Sequence, residues 1–304
     1  MSSEVPNEPD DVRRRVATVL AAARHGWTGN LTPVGRGLEA AVFRTELPPF
    51  GTVALKAPWR RFPGGSYGPG VDCRALLRQE RDLAAWAAGL GVPVPRVFAL
   101  HETEAQDVLV MAFVEADGAD PDPAGFGRLL RTLHDAPPPD LVPFTHGPAG
   151  DMPAAVADRI LHRIERLARL GEALPVPDPA ALREALQPAR RSLLHLDLRP
   201  ANLRCRGGRI AAVLDWSNAL IADPAFELAR MAEAGTLSDA ILDGYGDRDW
   251  AARLPEQTYA ACHLDAALLF AILFRAAVPE PERAARMTAR SRELLATLPA
   301  AASP

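Results

Sequence analysis

The hydrophobic rhythm of the chain changes several times. Over 10–25 apolar residues recur at helical spacing, with Val12, Val16, Val19 and Leu20 on one face. AAVFRTEL (40–47) and TVALKA (52–57) are instead short apolar runs joined by the turn PPFG, and they predict two strands. RRFPGGSYGPG (60–70) has no period and reads as a flexible loop. A helix is predicted over 71–91, where Leu76, Leu77, Leu83, Ala84 and Trp86 supply the apolar face and GLGVP the stop. Two apolar strands, VPRVFALHE and DVLVMAFVE, follow around the polar turn TEAQ. Residues 31–115 therefore predict an antiparallel sheet with one inserted helix.

After Glu115 the pattern shifts. ADGADPDPAG reads as a linker, and helices are predicted over 126–136, 154–174 and 178–192 and almost throughout beyond 223. The fold class is α+β and bilobal: a small antiparallel-sheet lobe at 1–115 and a larger, mostly helical lobe at 116–304.

One stretch breaks the pattern. LLHLDLRPANLRCRGGRIAAVLDW (193–216) sets a His, two Asp, an Asn and an Arg among apolar residues. NLRCR and RIAAVLDW predict two strands around GG, a dipeptide that tight hairpin turns favour. Such a hairpin brings Asn202 at its start near Asp215 at its end, with Asp197 on the loop leading in. Hard oxygen ligands of this kind suit Mg²⁺. A carboxylate not consumed by metal can accept a proton from an incoming hydroxyl. A hairpin with merely solvated ends is the alternative, but the core-like flanks would then carry uncompensated carboxylates. His195 reads as a brace for the loop.

Composition narrows the classes. The 304 residues are 48% apolar and 24% charged, an ordinary globular balance with a sizeable core. A net charge of −4 lacks the basic footprint of a nucleic-acid binder. Cys73, Cys205 and Cys262 show neither metal nor disulfide spacing; each reads as a buried apolar Cys in a reducing cytoplasm. MSSEVPNEPDD lacks the basic start and apolar core of a signal peptide, and no apolar run approaches the ~18 residues that span a bilayer. A cytoplasmic chain with no membrane or nucleic-acid partner is expected; nothing in the pattern sets an oligomeric state.

His-x-Asp-x-x-x-x-Asn, with a further Asp thirteen residues after the Asn, is the kinase catalytic arrangement. HLDLRPANL with VLDWSNALIADPAFELARM resembles the aminoglycoside phosphotransferase family, of protein-kinase-like fold, over roughly residues 31–240. The family's usual form is His-Gly-Asp-x-x-x-x-Asn and then Ile-Asp-Trp; here Leu196 replaces the Gly, Ser217 a common acid, and Glu227 stands in the ELA segment. The resemblance implies ATP and Mg²⁺ as cofactors, Asp197 as catalytic base, and Asn202 and Asp215 as Mg²⁺ ligands.

The first lobe holds the partners this requires. GRGLEAAV carries Gly35 and Gly37, with Ala40 at the usual third Gly, as a phosphate-covering loop. An ordinary strand turn is the other reading of it. Lys56, at the end of VALK, would bind the α- and β-phosphates and pair with Glu80 of the inserted helix, unless Glu80 is simply solvated. The backbone of Met111, Ala112 and Phe113 would hydrogen-bond adenine. Arg199, between base and metal ligand, would neutralise the transferring phosphoryl group or pair with a helix carboxylate. Asp223 would brace the loop or cap the next helix, and His134 reads as structural.

The acceptor is expected to be a hydroxyl of a small molecule. The acids from Glu233 to Asp265 would suit a polycationic sugar antibiotic, and Trp250, Tyr259, Phe270 and Phe274 a less polar one; solvated acids and core aromatics are the plain readings. Antibiotic phosphorylation, a metabolic sugar or amino-alcohol kinase, and a biosynthetic tailoring kinase all fit. A protein kinase fits less well, because the chain runs from Asp215 almost directly into DPAFELARM. A non-catalytic nucleotide-binding scaffold would be expected to have lost one of Lys56, Asp197, Asn202 and Asp215.

Overall fold

In a computed structural model of the protein, the described residues are 9–23, 26–27, 29–37, 39–62 and 71–301. The acidic start of the chain, Leu38 of the glycine motif and most of the expected 60–70 loop lie outside them. In chain order the elements are α1 (Pro9–Ala22), β1 (Thr32–Arg36), β2 (Ala40–Leu47), β3 (Gly51–Pro58), α2 (Cys73–Gly89), β4 (Val97–His101) and β5 (Val108–Ala112). There follow α3 (Pro123–Asp135), α4 (Met152–Arg169), α5 (Pro179–Ala185), β6 (Ser192–Leu194), β7 (Leu203–Arg206), β8 (Arg209–Val213), β9 (Leu220–Ala222), α6 (Ala225–Ala234), α7 (Asp239–Tyr245), α8 (Glu256–Ile272) and α9 (Pro281–Leu295).

The chain forms two compact units, Met1–Asp120 with Ala201–Ser217, and Pro121–Pro200 with Asn218–Pro304. The boundary falls close to the linker read from the sequence. The β7–β8 hairpin, which that reading left in the second lobe, belongs to the first unit.

In the first unit the strands run in the order β1-β2-β3-β5-β4, with antiparallel neighbours throughout. Period-2 alternation sends Val53, Leu55 and Ala57 of β3 to one face, where Val12, Val16, Val19 and Leu20 of α1 cover them. Ala54 and Lys56 point to the other face, toward Leu77 of α2, Leu109 and Met111. The Asp72 carboxylate caps α2 by accepting from the Arg74 N–H at 3.0 Å. From there Leu76, Leu77, Glu80, Leu83, Ala84 and Ala87 fall on one buried stripe. A carboxylate two turns into α2 thus lies on the side of the sheet that carries Lys56. The β7–β8 hairpin turns through Gly207 and Gly208 at φ 53° and 75°, the left-handed pair a two-residue hairpin requires.

In the second unit α8 is the central helix, packed by α4, α6 and α9. The segment Glu256–Ala277 is long and apolar enough to cross a membrane by length and composition, contrary to the expectation that no run reaches that length. Two-thirds of its most apolar window is buried inside this unit, as in a core helix. At the crossing of α3 and α7, a Cβ on Gly127 would meet the backbone of Ile241, and one on Gly244 the backbone of Ala124. The helix predicted over 178–192 stops at Ala185, since Pro188 disfavours helical geometry at the residue before it. Ser192 instead opens β6, which pairs with β9. These three-residue strands and β1 are too short or too polar to show a period.

Candidate active site

Lys56 is the hub of the first unit's polar residues. Its Nζ donates to Glu80 Oε2 at 2.6 Å and to Asp215 Oδ1 at 2.9 Å. The Lys56 side chain is 13% exposed and that of Glu80 7%, so Glu80 is not a solvated helix-face residue. Burial alone would strip the charge from Lys56, but the two carboxylates overcome it and hold the ammonium's pKa above its ordinary value. The Glu80 carboxyl is pushed up by burial and by Asp215, against the pull of Lys56. Two carboxylates on one ammonium leave one negative charge in excess, which favours a further cation.

Asp215 follows β8 in left-handed backbone, at φ 64°. Ser217 Oγ donates to Asp215 Oδ1 at 2.8 Å, and the buried Gln79 amide donates to the Trp216 and Ser217 carbonyls. Ser217, where the family commonly has an acid, therefore serves as a donor to Asp215. The Leu214 N–H donates to the Asn202 carbonyl at 2.8 Å, so the hairpin brings 202 beside 214–215 as its register predicts. The Asn202 residue is 7% exposed. One amide and one carboxylate fit Mg²⁺, which takes few protein ligands and keeps waters or phosphate oxygens for the rest. Among the described residues no three His, Cys, Asp or Glu side chains converge as a metal cluster.

Gly35 lies in β1, opposite Val42, and the Gly37 N–H closes onto the Ala40 carbonyl at 2.9 Å. The Trp59 indole donates to the Gly37 carbonyl at 3.0 Å and braces this turn. Met111 is buried on β5, and Phe113 lies one residue past that strand, its ring under the Arg44 guanidinium. The backbone at this point narrows the expectation for adenine to carbonyl oxygens. The Ala112 N–H is spent on the Arg96 carbonyl and the Phe113 N–H on the Thr52 carbonyl, because the sheet ladder extends that far.

In the second unit Asp197 sits on a loop held from below. Its N–H donates to His195 Nδ1 at 3.2 Å, so His195, fully buried, is the expected brace. Arg199 Nε donates to Asp197 Oδ1 at 3.1 Å; its partner is Asp197 itself and not a helix carboxylate. Asp223 accepts from the Ala225 N–H and caps α6, and it also accepts from the Arg190 N–H.

The clamp on this loop is Glu227, which sequence reasoning noted only as a departure. Glu227 is 1% exposed and accepts from the Leu196 N–H at 2.6 Å and the His195 N–H at 3.1 Å. Its other partner, His134 Nε2, is 3.0 Å away, and His134 Nδ1 meets the Tyr245 hydroxyl at 3.0 Å. Burial pushes the Glu227 carboxyl up; the His134 bond and charge, with His195, outweigh that and hold its pKa low. Leu196, standing at the family's Gly, adopts φ 60°, a conformation that costs a side-chain residue about 1–2 kcal/mol. The Glu227 clamp and Leu196's burial hold that strain.

A model of the phosphotransferase enzyme family matches residues 30–262, more than three-quarters of the chain. The chain belongs to this family. Solved structures with the same protein-kinase-like fold include a fructosamine-3-kinase homologue from Haemophilus somnus 129PT, at 15% identity, TM-score 0.64, covering 94% of this chain and 98% of that one. A macrolide 2′-phosphotransferase from Brachybacterium faecium is similar at 23% identity, TM-score 0.54, covering 93% and 98%. An aminoglycoside phosphotransferase in complex with AMP-PNP and hygromycin B is similar at 18% identity, TM-score 0.53, covering 91% and 97%. A search of the curated proteins finds no match. The chain is thus a phosphotransferase by family. Its three cysteines, all buried and unpaired, take no part in the arrangement.

Proposed function

We propose that this phosphotransferase moves the γ-phosphoryl group of ATP to a hydroxyl of a small molecule. The observation that carries the reading is Lys56 held between Glu80 and Asp215, with Asn202 tied to the same hairpin. An ammonium fixed by two carboxylates is aimed without freedom to wander, which suits a group that must position a polyphosphate. The AMP-PNP complex of one structural neighbour supports ATP as donor.

Each residue then has a task. Lys56 binds the α- and β-phosphates, and Glu80 holds it in place. Asn202 and Asp215 would hold Mg²⁺, which supplies charge neutralisation at the phosphates. The turn at Gly35 and Gly37, held shut by the Gly37 N–H on the Ala40 carbonyl, covers the phosphates by close approach of a backbone without side chains. With the Ala112 and Phe113 N–H groups committed, carbonyl oxygens of 111–113, each with a second lone pair, remain to accept from the adenine amino group. Asp197 orients the acceptor hydroxyl and takes its proton. Arg199 sits on that carboxylate and keeps it directed. Catalysis is then placement plus electrostatics.

Calorimetric titration with Mg·ATP tests the donor half. Binding by the wild type, with at least tenfold weakening in Lys56→Met, is the expected result. No ATP binding by the folded wild type would overturn the reading. Binding without acceptor-dependent turnover across hydroxyl compounds of every charge class would move the protein to a nucleotide-binding scaffold.

A further inference from the structure

Most of the buried or paired acids of the second unit are already spent on cations and are not open to a polycationic acceptor. Of the acids that suggested one, Glu233 is taken by His263 and Arg290, Asp243 by Arg248, Asp247 by Arg253, and Asp265 by Arg159 and Arg163. Trp250, buried, and Tyr259, partly buried, both stack on the buried His263. Asp239, Asp249 and Glu256 are exposed, while Asp197 itself carries the Arg199 guanidinium.

Asp265 lies on α8 and is 1% exposed at its side chain. Arg159 and Arg163, one turn apart on α4, both grip it: Arg159 through Nε at 2.9 Å and Nη2 at 3.1 Å, Arg163 through Nη1, which also donates to the Asp265 carbonyl at 2.7 Å. One carboxylate thus answers two guanidiniums. A third, Arg230, projects from α6 one turn beyond Glu227, whose carboxylate meets the backbone of the Asp197 loop. Arg230 is partly buried and, among the described residues, makes neither hydrogen bond nor ion pair within 4 Å. The carboxylates of Asp265, Asp197 and Glu227 favour its charge, and the Arg159 guanidinium opposes it. Burial and the neighbouring guanidiniums depress Arg163 and Arg230 alike, Asp265 opposing. A half-buried guanidinium with five N–H donors and no protein hydrogen bond is costly unless its donors meet an acceptor, and an anion meets them best.

We propose that the acceptor of this enzyme carries an anionic group, a carboxylate or a phosphate, that docks on Arg230 with Arg159 and Arg163 behind it, while its hydroxyl meets Asp197. The proposal rests on the phosphotransfer reading and names its substrate class: a hydroxy acid or sugar phosphate rather than an amino sugar. Arg230 is then a specificity-determining residue. It binds the acceptor's charge and takes no part in proton transfer.

Two measurements test it. Thermal unfolding of the nucleotide-free protein is followed with inorganic phosphate and, separately, with succinate, in wild type and Arg230→Met. At least one anion stabilises the wild type by several degrees and leaves Arg230→Met unmoved; the effective anion tells phosphate from carboxylate. Equal responses of both proteins to both anions overturn the proposal. Without anion, Arg230→Met melts no lower than wild type, since it removes a guanidinium that no protein hydrogen bond satisfies; Arg230→Gln replaces it should it fail to fold. ADP release with Mg·ATP is then compared across D-glucuronate, D-glucose 6-phosphate, D-glucose and D-glucosamine, extended to larger members of each charge class. Turnover falls in the anionic class, and Arg230→Met raises the acceptor KM about 10–100-fold with kcat kept within about threefold. Turnover confined to cationic acceptors, or an unchanged KM, overturns it. Failure of ATP binding strikes the phosphotransfer reading alone, because the anion-dependent stabilisation is read without nucleotide.

Discussion

Replacing Glu227 by Ala removes three hydrogen-bonded contacts at once, and the size of the effect follows from what is left behind. The Leu196 and His195 N–H groups lose their acceptor in a site where Glu227 is 1% exposed, and His134, fully buried, loses its Nε2 partner. Each orphaned buried group costs about 1–3 kcal/mol, less wherever water enters the space vacated by the carboxylate. Glu227→Ala is therefore expected to destabilise the fold by about 3–5 kcal/mol, the range for breaking a buried charged partnership. In a unit of this size that lowers the thermal midpoint by about 10 °C. The catalytic effect has a separate cause. Leu196 is held at φ 60° next to Asp197; without the clamp that strain relaxes and carries Asp197 with it. A displacement of about 1 Å costs roughly 100-fold in turnover. Glu227→Gln keeps one oxygen for the shorter Leu196 bond and is expected to recover most of the stability and part of kcat. Circular-dichroism melts and ADP-release kinetics on the three proteins are the assay. A Glu227→Ala protein that melts with the wild type, or turns over at the wild-type rate, would refute the reasoning.

Other consequences can be checked in the same assays. Glu80→Gln leaves Lys56 to Asp215, so the KM for ATP should rise and kcat/KM fall by about 10–100-fold, while stability moves by less than about 1 kcal/mol. Gly127→Ala puts a methyl group into the backbone of α7 and should lower stability by about 1–3 kcal/mol without touching ATP affinity, as calorimetry and a melt would show. Glu227 and Asp265 both have folded pKa values below their unfolded ones, so their stabilisation is present above the unfolded values near pH 4 and is lost as pH falls through the folded ones. An acid titration of the fold should show loss of stability below about pH 4, and Glu227→Gln should flatten that limb.

Much of this arrangement was legible because it is local or periodic. Asp197, Asn202 and Asp215 lie on one loop and one hairpin, and the Gly-Gly turn fixes which residues of that hairpin are opposed. Lys56 and Glu80 could be named from the kinase arrangement, a Lys ending an apolar strand and a Glu on the inserted helix, and strand alternation with the stripe on α2 puts the two on the same side of the sheet. Glu227 could not be placed. It reaches the loop from 31 residues away, and an acid in a helix looks like any solvated acid until the backbone it caps is in view. The same holds for Asp265, whose two arginines lie more than 100 residues earlier and turn an apparent acidic feature into a cationic one. The Ala112 and Phe113 N–H groups were lost to the sheet because ladder ends depend on the partner strand, not on the residue itself. The strands β6 and β9 each contribute three residues, fewer than two periods of alternation.

The central claim is that Asp197 serves ATP-dependent transfer to a hydroxyl. The direct measurement is acceptor-dependent ADP release by wild type and Asp197→Ala, with the phosphorylated product identified by mass. The account predicts one phosphoryl group on the acceptor per ADP, and a fall in kcat of about 10²–10⁴-fold in Asp197→Ala at unchanged ATP affinity. Product formation at the wild-type rate by Asp197→Ala would contradict it.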